Sequence, residues 1–289
     1  MINLTGAGVA IVTPFRSDSS IDFSALGKLV EHLISNSIGY LVVMGTTGES
    51  VTLNKDEKQA IIDYVIETNQ GRVPIVVGIG GNNTQDIISQ IKGKSFEGID
   101  AILSVAPYYN KPTQEGLFQH YASISSISPA PIILYNVPGR TGVNITAKTC
   151  LRLANYSNNI IAVKEASGNL TQVTEIARNK PDDFLIISGD DALTIPIASL
   201  GGAGVISVLA NAFPKEISEL VSMTQKENYK KALEIHFKFT DLIDLLFVDG
   251  NPAGIKAVLH HMKLVANAVR LPLTPVKKET YDKISEFLG

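Results

Sequence analysis

The sequence predicts an α/β fold, a (β/α)8 TIM barrel with a C-terminal appendage of three helices. Three observations carry this. Eight short apolar, β-branched runs recur between residues 9 and 209, separated by longer amphipathic stretches. After about residue 225 the strand texture stops and only helical periodicity follows. The length, 289 residues, suits a single barrel of this kind. The alternation alone also allows an open doubly wound sheet, but eight units favour closure.

In chain order the runs are Val9–Val12, Tyr40–Met44, Ile75–Ile79, Ala101–Ala106, Ile132–Val137, Ile160–Val163, Phe184–Ser188 and Gly204–Leu209. Near-continuous apolar runs of strand length signal parallel strands covered on both faces. The stretches between them, with Lys, Glu and Gln on one side, read as crossover helices. Asn54 followed by Glu57 resembles a capping box opening the helix after Leu53. In the tail, Ala232, Ile235, Phe239, Leu242 and Leu246 recur at spacings of three and four, as do Ile255, Leu259 and Met262. Breaks fall at Gly250-Asn251-Pro252 and from Leu271 to Pro275. The barrel is therefore assigned to residues 1–224 and a helical region packed on it to 225–289, with no Gly/Ser-rich linker between them.

Composition narrows the partners. Hydrophobic residues make up 45% and charged residues 18%, a globular balance. The net charge is −3 with no dense Lys/Arg run, which leaves a nucleic-acid or membrane-surface partner without electrostatic support. No apolar run approaches the roughly 20 residues needed to span a bilayer. The N-terminus has no basic segment followed by an apolar one, so no signal peptide is expected. The lone cysteine, Cys150, cannot form an intrachain disulfide, which suits a reducing, cytoplasmic setting.

Barrel active sites form in the loops that follow the strands. Here the second run leads into Gly45-Thr46-Thr47-Gly48-Glu49-Ser50 and the fourth into Pro107-Tyr108-Tyr109-Asn110-Lys111-Pro112. The fifth carries Tyr135-Asn136-Val137-Pro138-Gly139-Arg140-Thr141, the sixth Lys164-Glu165-Ala166-Ser167-Gly168, and the seventh Ser188-Gly189-Asp190-Asp191. Lys164 is the oddest of these residues. Burial in an apolar strand penalises its charge and favours the neutral amine that Schiff-base chemistry requires. The residues alone equally allow a strand-end lysine reaching solvent or pairing with Glu165. Tyr135 could shuttle protons beside such a lysine, or be a hydrogen-bonded barrel-top aromatic. Thr46 and Thr47, on a glycine-flanked turn, could cradle a carboxylate or simply cap the next helix. Arg140 suits a substrate carboxylate or a surface ion pair. Tyr108 and Tyr109 suit an interface.

Other chemistries lack their residues. His32, His120, His236, His260 and His261 fall in helical segments, so no metal cluster is expected. Asp190-Asp191 is read as capping the next helix rather than as a divalent-ion site. There is no Walker A motif, and Gly78-Ile79-Gly80-Gly81 lacks the full dinucleotide fingerprint. Neither a metal nor an organic cofactor is expected.

Taken together, Gly45-Thr46-Thr47-Gly48-Glu49, Tyr135-Asn136-Val137-Pro138, Lys164-Glu165-Ala166-Ser167-Gly168 and Ser188-Gly189-Asp190 resemble the pyruvate-dependent class I aldolase superfamily in order and spacing. That superfamily holds the N-acetylneuraminate lyases and the dihydrodipicolinate synthases. The likeness runs from Gly8–Phe15 to Asn251–Lys256. Arg140 and the Pro107–Pro112 segment favour the synthase branch over a lyase of sialic acid or 2-keto-3-deoxy sugar acids. The complete lysine, tyrosine and threonine set disfavours a barrel that only binds a keto acid.

The resemblance implies condensation of pyruvate, held on Lys164, with L-aspartate 4-semialdehyde. It implies a proton relay of Thr47, Tyr135 and Tyr109, with Tyr109 reaching in from a neighbouring subunit of a homotetramer built as a dimer of dimers. It gives Thr46 and Thr47 to the pyruvate carboxylate, Arg140 to the semialdehyde carboxylate, and the backbone at Gly189 and Ile206 to the pocket lining. Lysine-inhibited members carry an allosteric site of Ser, Ala, two His, Asn, Glu and Tyr. The matching positions here are Ser50, Val51, Lys55, Lys58, Asn82, Asp86 and Tyr108. Ser50, Asn82 and Tyr108 keep the pattern. Lysines replace both histidines and would repel a cationic ligand, so weak or absent feedback by lysine is expected.

Overall fold

A computed structural model describes residues 2–289. Eight parallel strands close in sequence order into one barrel: β1 (Gly6–Ala10), β2 (Tyr40–Val43), β3 (Ile75–Gly78), β4 (Ala101–Val105), β5 (Ile132–Asn136), β6 (Ile160–Glu165), β7 (Leu185–Ser188) and β8 (Gly204–Ser207). Closure is direct, with Gly6 opposite Gly204 and Gly8 opposite Ile206. The open-sheet alternative is thereby excluded.

The helices on the outside are α1 (Phe23–Ser35), α2 (Lys55–Asn69), α3 (Thr84–Lys92), α4 (Gln114–Ser125), the single turn α5 (Pro138–Thr141), α6 (Ala147–Tyr156), α7 (Leu170–Asn179), α8 (Thr194–Ser199) and α9 (Pro214–Gln225). The tail supplies α10 (Tyr229–Val248), α11 (Ala253–His261) and α12 (Lys278–Leu288). Among the described residues no helix is long and apolar enough to cross a membrane.

Strand alternation divides the core into two layers. Ala10, Val42, Leu103, Ile133, Ala162 and Ile206 point into the barrel. Val9, Val43, Ile102, Leu134, Val163 and Val205 point outward and pack against the helices. Leu242, Leu246, Ile255 and Leu259 of the tail join that outer layer, so the tail shares the barrel's core. The capping box at the start of α2 is complete: Glu57 N donates to Asn54 Oδ1 and Asn54 N to Glu57 Oε2, both at 2.9 Å.

Two boundaries differ from the sequence reading. β1 begins at Gly6 rather than Val9, because glycines at 6 and 8 blunt the apolar signal of a strand that the ladder to β8 nevertheless holds. β8 ends at Ser207, and Leu209–Asn211 turn into a single 3-10 turn.

Candidate active site

β6 directs Lys164 into the barrel and Glu165 out of it. Lys164 stands in register with Tyr135 on β5 and Ile187 on β7. It is 5% exposed, and its Nζ lies 4.2 Å from the centroid of the Tyr135 ring. Gly189 leaves room for it: a Cβ there would fall 3.0 Å from Lys164 Cε and 3.1 Å from Cγ. Among the described residues no carboxylate lies within ion-pair distance of this amine. Both alternatives for Lys164 therefore fall. It neither reaches solvent nor pairs with Glu165, whose carboxylate accepts hydrogen bonds from Asn136 Nδ2 and Gln172 Nε2, both at 2.8 Å.

The opposite wall is the turn after β2. Met44 and Glu49 flank it with φ of 62° and 53°, left-handed conformations that cost a non-glycine residue energy and need outside support. Gly78 permits the close approach of β3, since a Cβ there would lie 2.1 Å from Met44 O. Thr13 Oγ1 holds the backbone, donating to Gly48 O at 2.7 Å, and the tail holds the side chains. Asn251 Nδ2 donates to Thr47 Oγ1 at 3.0 Å. The Glu49 carboxylate receives Lys256 Nζ on one oxygen and Arg270 N, at 3.0 Å, on the other. The Lys256–Glu49 pair is fully buried. Lys256 Nζ also donates to Ala268 O at 2.8 Å and lies 4.2 Å from the centroid of the Phe15 ring. Burial disfavours its charge and brings its pKa down to about 8, against the pull of Glu49.

Sequence reasoning missed Glu49, Asn251 and Lys256 as supports of the site. The signal was present in Ala253-Gly254-Ile255-Lys256-Ala257-Val258-Leu259, where a lysine interrupts an apolar stretch just as Lys164 does.

Between the walls opens a cavity of about 520 Å³ lined by Thr46, Thr47, Tyr135, Arg140, Lys164 and Gly189. Six of the predicted site residues thus meet in one place. The Ile206 side chain is buried in the barrel core, and Val208 lines the cavity from the β8 side. Arg140, on the one-turn α5, is exposed at the rim with Nη2 3.5 Å from Asn251 O. α10 roofs the cavity with Asp244 and Phe247.

Tyr109 stands apart, 89% exposed with φ of 73°. Ser50, Asn82 and Tyr108 line a second cavity of about 650 Å³, together with Lys58 and Asp86, and Lys55 lines the adjoining groove. Burial lowers the pKa of Lys58. The reading of Asp190-Asp191 as caps of the following helix needs correction. α8 starts at Thr194 after Leu193, which is its N-cap and gives no side-chain cap, and Asp191 Oδ2 instead accepts from Val208 N at 2.9 Å and Leu209 N at 3.1 Å. Asp191 is buried, and three donors draw its carboxylate to the turn after β8 rather than to its own helix. Among the described residues no three His, Cys, Asp or Glu side chains converge as metal ligands.

Comparison with known proteins gives one answer over the whole chain. The model of the dihydrodipicolinate synthetase family matches residues 3–289. The 4-hydroxy-tetrahydrodipicolinate synthase of Parabacteroides distasonis is 55% identical over 287 residues, covering 99% of this chain and 97% of its own. The dihydrodipicolinate synthase of Thermotoga maritima superposes with a TM-score of 0.96 at 39% identity, covering 99% of this chain and 98% of its own. The chloride-inhibited dihydrodipicolinate synthase of Acinetobacter baumannii, solved complexed with pyruvate, gives 0.95 at 39% identity with the same coverage.

Proposed function

The chain belongs to the dihydrodipicolinate synthetase family, and on that premise we propose that its barrel mouth joins pyruvate to L-aspartate 4-semialdehyde through a Schiff base on Lys164. The product is 4-hydroxy-tetrahydrodipicolinate, and the reaction is the first committed step of diaminopimelate and lysine biosynthesis. One observation carries the reading. Lys164 is a buried amine with no carboxylate partner, set against the Tyr135 ring and across from a hydroxyl-lined turn. The pyruvate complex of the Acinetobacter relative supports the first substrate.

The Lys164 amine adds to the ketone carbon of pyruvate, and loss of water leaves the imine. Removal of a methyl proton gives the enamine, whose carbon attacks the semialdehyde aldehyde while the aldehyde oxygen takes up a proton. The semialdehyde's own amino group then displaces Lys164 from the imine carbon and closes the ring. Tyr135 is the proton carrier nearest the lysine. The Thr46–Thr47 turn holds the pyruvate carboxylate, and Arg140 at the rim takes the semialdehyde carboxylate as a bidentate fork. The backbone at Gly189 and at Ile206 lines the pyruvate end.

A threonine hydroxyl links Tyr135 to Tyr109, which a neighbouring subunit contributes. The family resemblance gives that hydroxyl to Thr47, whose oxygen receives the Asn251 amide and whose proton is free to donate. Thr46 lines both the active-site cavity and the one beside Tyr108, so it is the other claimant. Separate Thr46→Val and Thr47→Val variants decide between them by which loses turnover rather than pyruvate affinity. The exposed, left-handed Tyr109 suits a residue that leaves its own subunit, in a cytoplasmic homotetramer arranged as a dimer of dimers.

The test is a coupled assay with both substrates. Heterocycle formation is expected, and Arg140→Ala is expected to raise the KM for semialdehyde far more than that for pyruvate. No condensation with semialdehyde, or an Arg140→Ala enzyme with unchanged constants for both substrates, contradicts the assignment. Lys58 beside Ser50, Asn82 and Tyr108 disfavours a cationic effector, so L-lysine is expected to inhibit weakly or not at all. Micromolar inhibition in the same assay overturns that expectation.

A further inference from the structure

Behind the catalytic strands, on the outside of the barrel, lies a buried polar cluster that the reaction itself does not use. Glu165 is its centre and is 2% exposed. Its Oε1 accepts from Asn136 Nδ2 at 2.8 Å and from Ser167 N at 3.2 Å, and its Oε2 accepts from Gln172 Nε2 at 2.8 Å. Asn136 is fully buried, and its Oδ1 accepts from Ile145 N at 2.9 Å. Asn144 completes the cluster: its Oδ1 accepts from Asn136 Nδ2 and its Nδ2 donates to Gln172 Oε1, both at 2.8 Å.

Two of its members lie one residue from a site group. Glu165 follows Lys164 and Asn136 follows Tyr135, and the two pairs are adjacent rungs of one ladder. The side chains alternate, so the bond between Asn136 and Glu165 on the outer face fixes the relative height of Tyr135 and Lys164 on the inner face. Asn144 and Ile145 end the loop that begins at Val137 and carries Arg140. Gln172 anchors that loop to α7. A single carboxylate thus ties the lysine, the tyrosine and the arginine loop together. It is surrounded by amide and backbone donors and has no cationic partner among the described residues.

We propose that Glu165, with Asn136 and Gln172, is a positioning residue that sets both halves of the reaction from outside the pocket: adduct formation at Lys164 and semialdehyde capture at Arg140. A carboxylate is suited to this because it accepts three hydrogen bonds at once. A glutamine would present one NH2 group to donors that have no lone pair to offer.

The proposal rests on the Schiff-base reading, and the experiment separates the two. Glu165→Gln and Gln172→Met are compared with the wild-type enzyme in three measurements: the rate of borohydride trapping of the pyruvate adduct, steady-state constants for both substrates, and thermal midpoint. Glu165→Gln is expected to slow trapping about 10- to 100-fold, the scale of a small misplacement of reacting groups, and also to raise the semialdehyde KM. Gln172→Met, which leaves the Asn136–Glu165 bond intact, is expected to raise the semialdehyde KM with little change in trapping. A purely stabilising cluster would lower the midpoint and leave the constants of the folded enzyme untouched, and that result for Glu165→Gln overturns the proposal. If Glu165→Gln does not fold, unchanged semialdehyde kinetics in Gln172→Met overturn it. Failure of the wild-type enzyme to form any adduct would instead remove the functional reading beneath it.

Discussion

Lys164 and Tyr135 stand on neighbouring strands in ladder register, and the residues that steady them from behind are their sequence neighbours or lie within about one βα unit. Thr46 and Thr47 face them from a turn with two left-handed flanks, whose backbone is closed by Gly48 N to Gly45 O and Glu49 N to Thr46 O and by Thr13 Oγ1, which donates to Gly48 O at 2.7 Å. Its side chains at Thr47 and Glu49, by contrast, are held by Asn251, Lys256 and Arg270, more than two hundred positions away. One wall of the pocket is thus a property of the barrel, and the other a property of the barrel plus its tail. The difference shows why a helical tail that contributes no catalytic group still belongs to the catalytic unit.

The sharpest way to break this contrast is to unpair the buried charges. Lys256→Ala leaves the Glu49 carboxylate buried without its cation, which is expected to destabilise the protein by about 3–5 kcal/mol in urea unfolding. The double variant Glu49→Gln/Lys256→Met is expected to recover most of that loss, because a removed pair costs far less than a broken one. It should still show a raised pyruvate KM with semialdehyde constants nearly unchanged. A double variant with wild-type pyruvate KM would show that the tail does not position the threonine turn.

Asn251→Ala tests the same wall more gently. It removes the donor to Thr47 Oγ1, a loss of about 1 kcal/mol. The pyruvate KM is expected to rise roughly five-fold in steady-state kinetics, the equivalent of that energy. An equal rise for both substrates would mean that the whole rim had shifted.

How much of this was legible in the sequence follows the same division. The eight strand runs, the capping box at Asn54 and Glu57, and the three tail helices could be read because each is written in a local period or a local pair. Lys164, Tyr135 and Arg140 could be read because they close apolar runs where barrel chemistry forms. The partner of Glu49 could not. Its lysine lies in α11, and only the folded tail brings the two together. Asp191 misled for a similar reason, since its carboxylate is spent on the turn after β8, sixteen to eighteen residues on, rather than on the helix beside it.

The smallest effect concerns acid. Arg270 donates two hydrogen bonds to Glu57 and, with help from Asn54 N, holds its pKa down to about 2. A carboxylate held below its free value of 4.5 stabilises the fold above that pH, and the contribution is lost as pH falls through about 2. The pair is partly exposed, so Glu57→Gln is expected to cost roughly 1 kcal/mol at pH 7 and progressively less as pH falls from the free value towards and below about 2. Urea midpoints across that range give the check, and a cost independent of pH would exclude the ion pair as its source.

The central claim is the covalent role of Lys164, and borohydride reduction in the presence of pyruvate tests it most directly. Mass spectrometry of the digested protein is expected to find the reduced pyruvate adduct on the peptide carrying Lys164. Lys164→Ala is expected to lose the adduct while keeping its thermal midpoint. An adduct on any other lysine, Lys256 included, or none at all in the wild-type protein, would contradict the account.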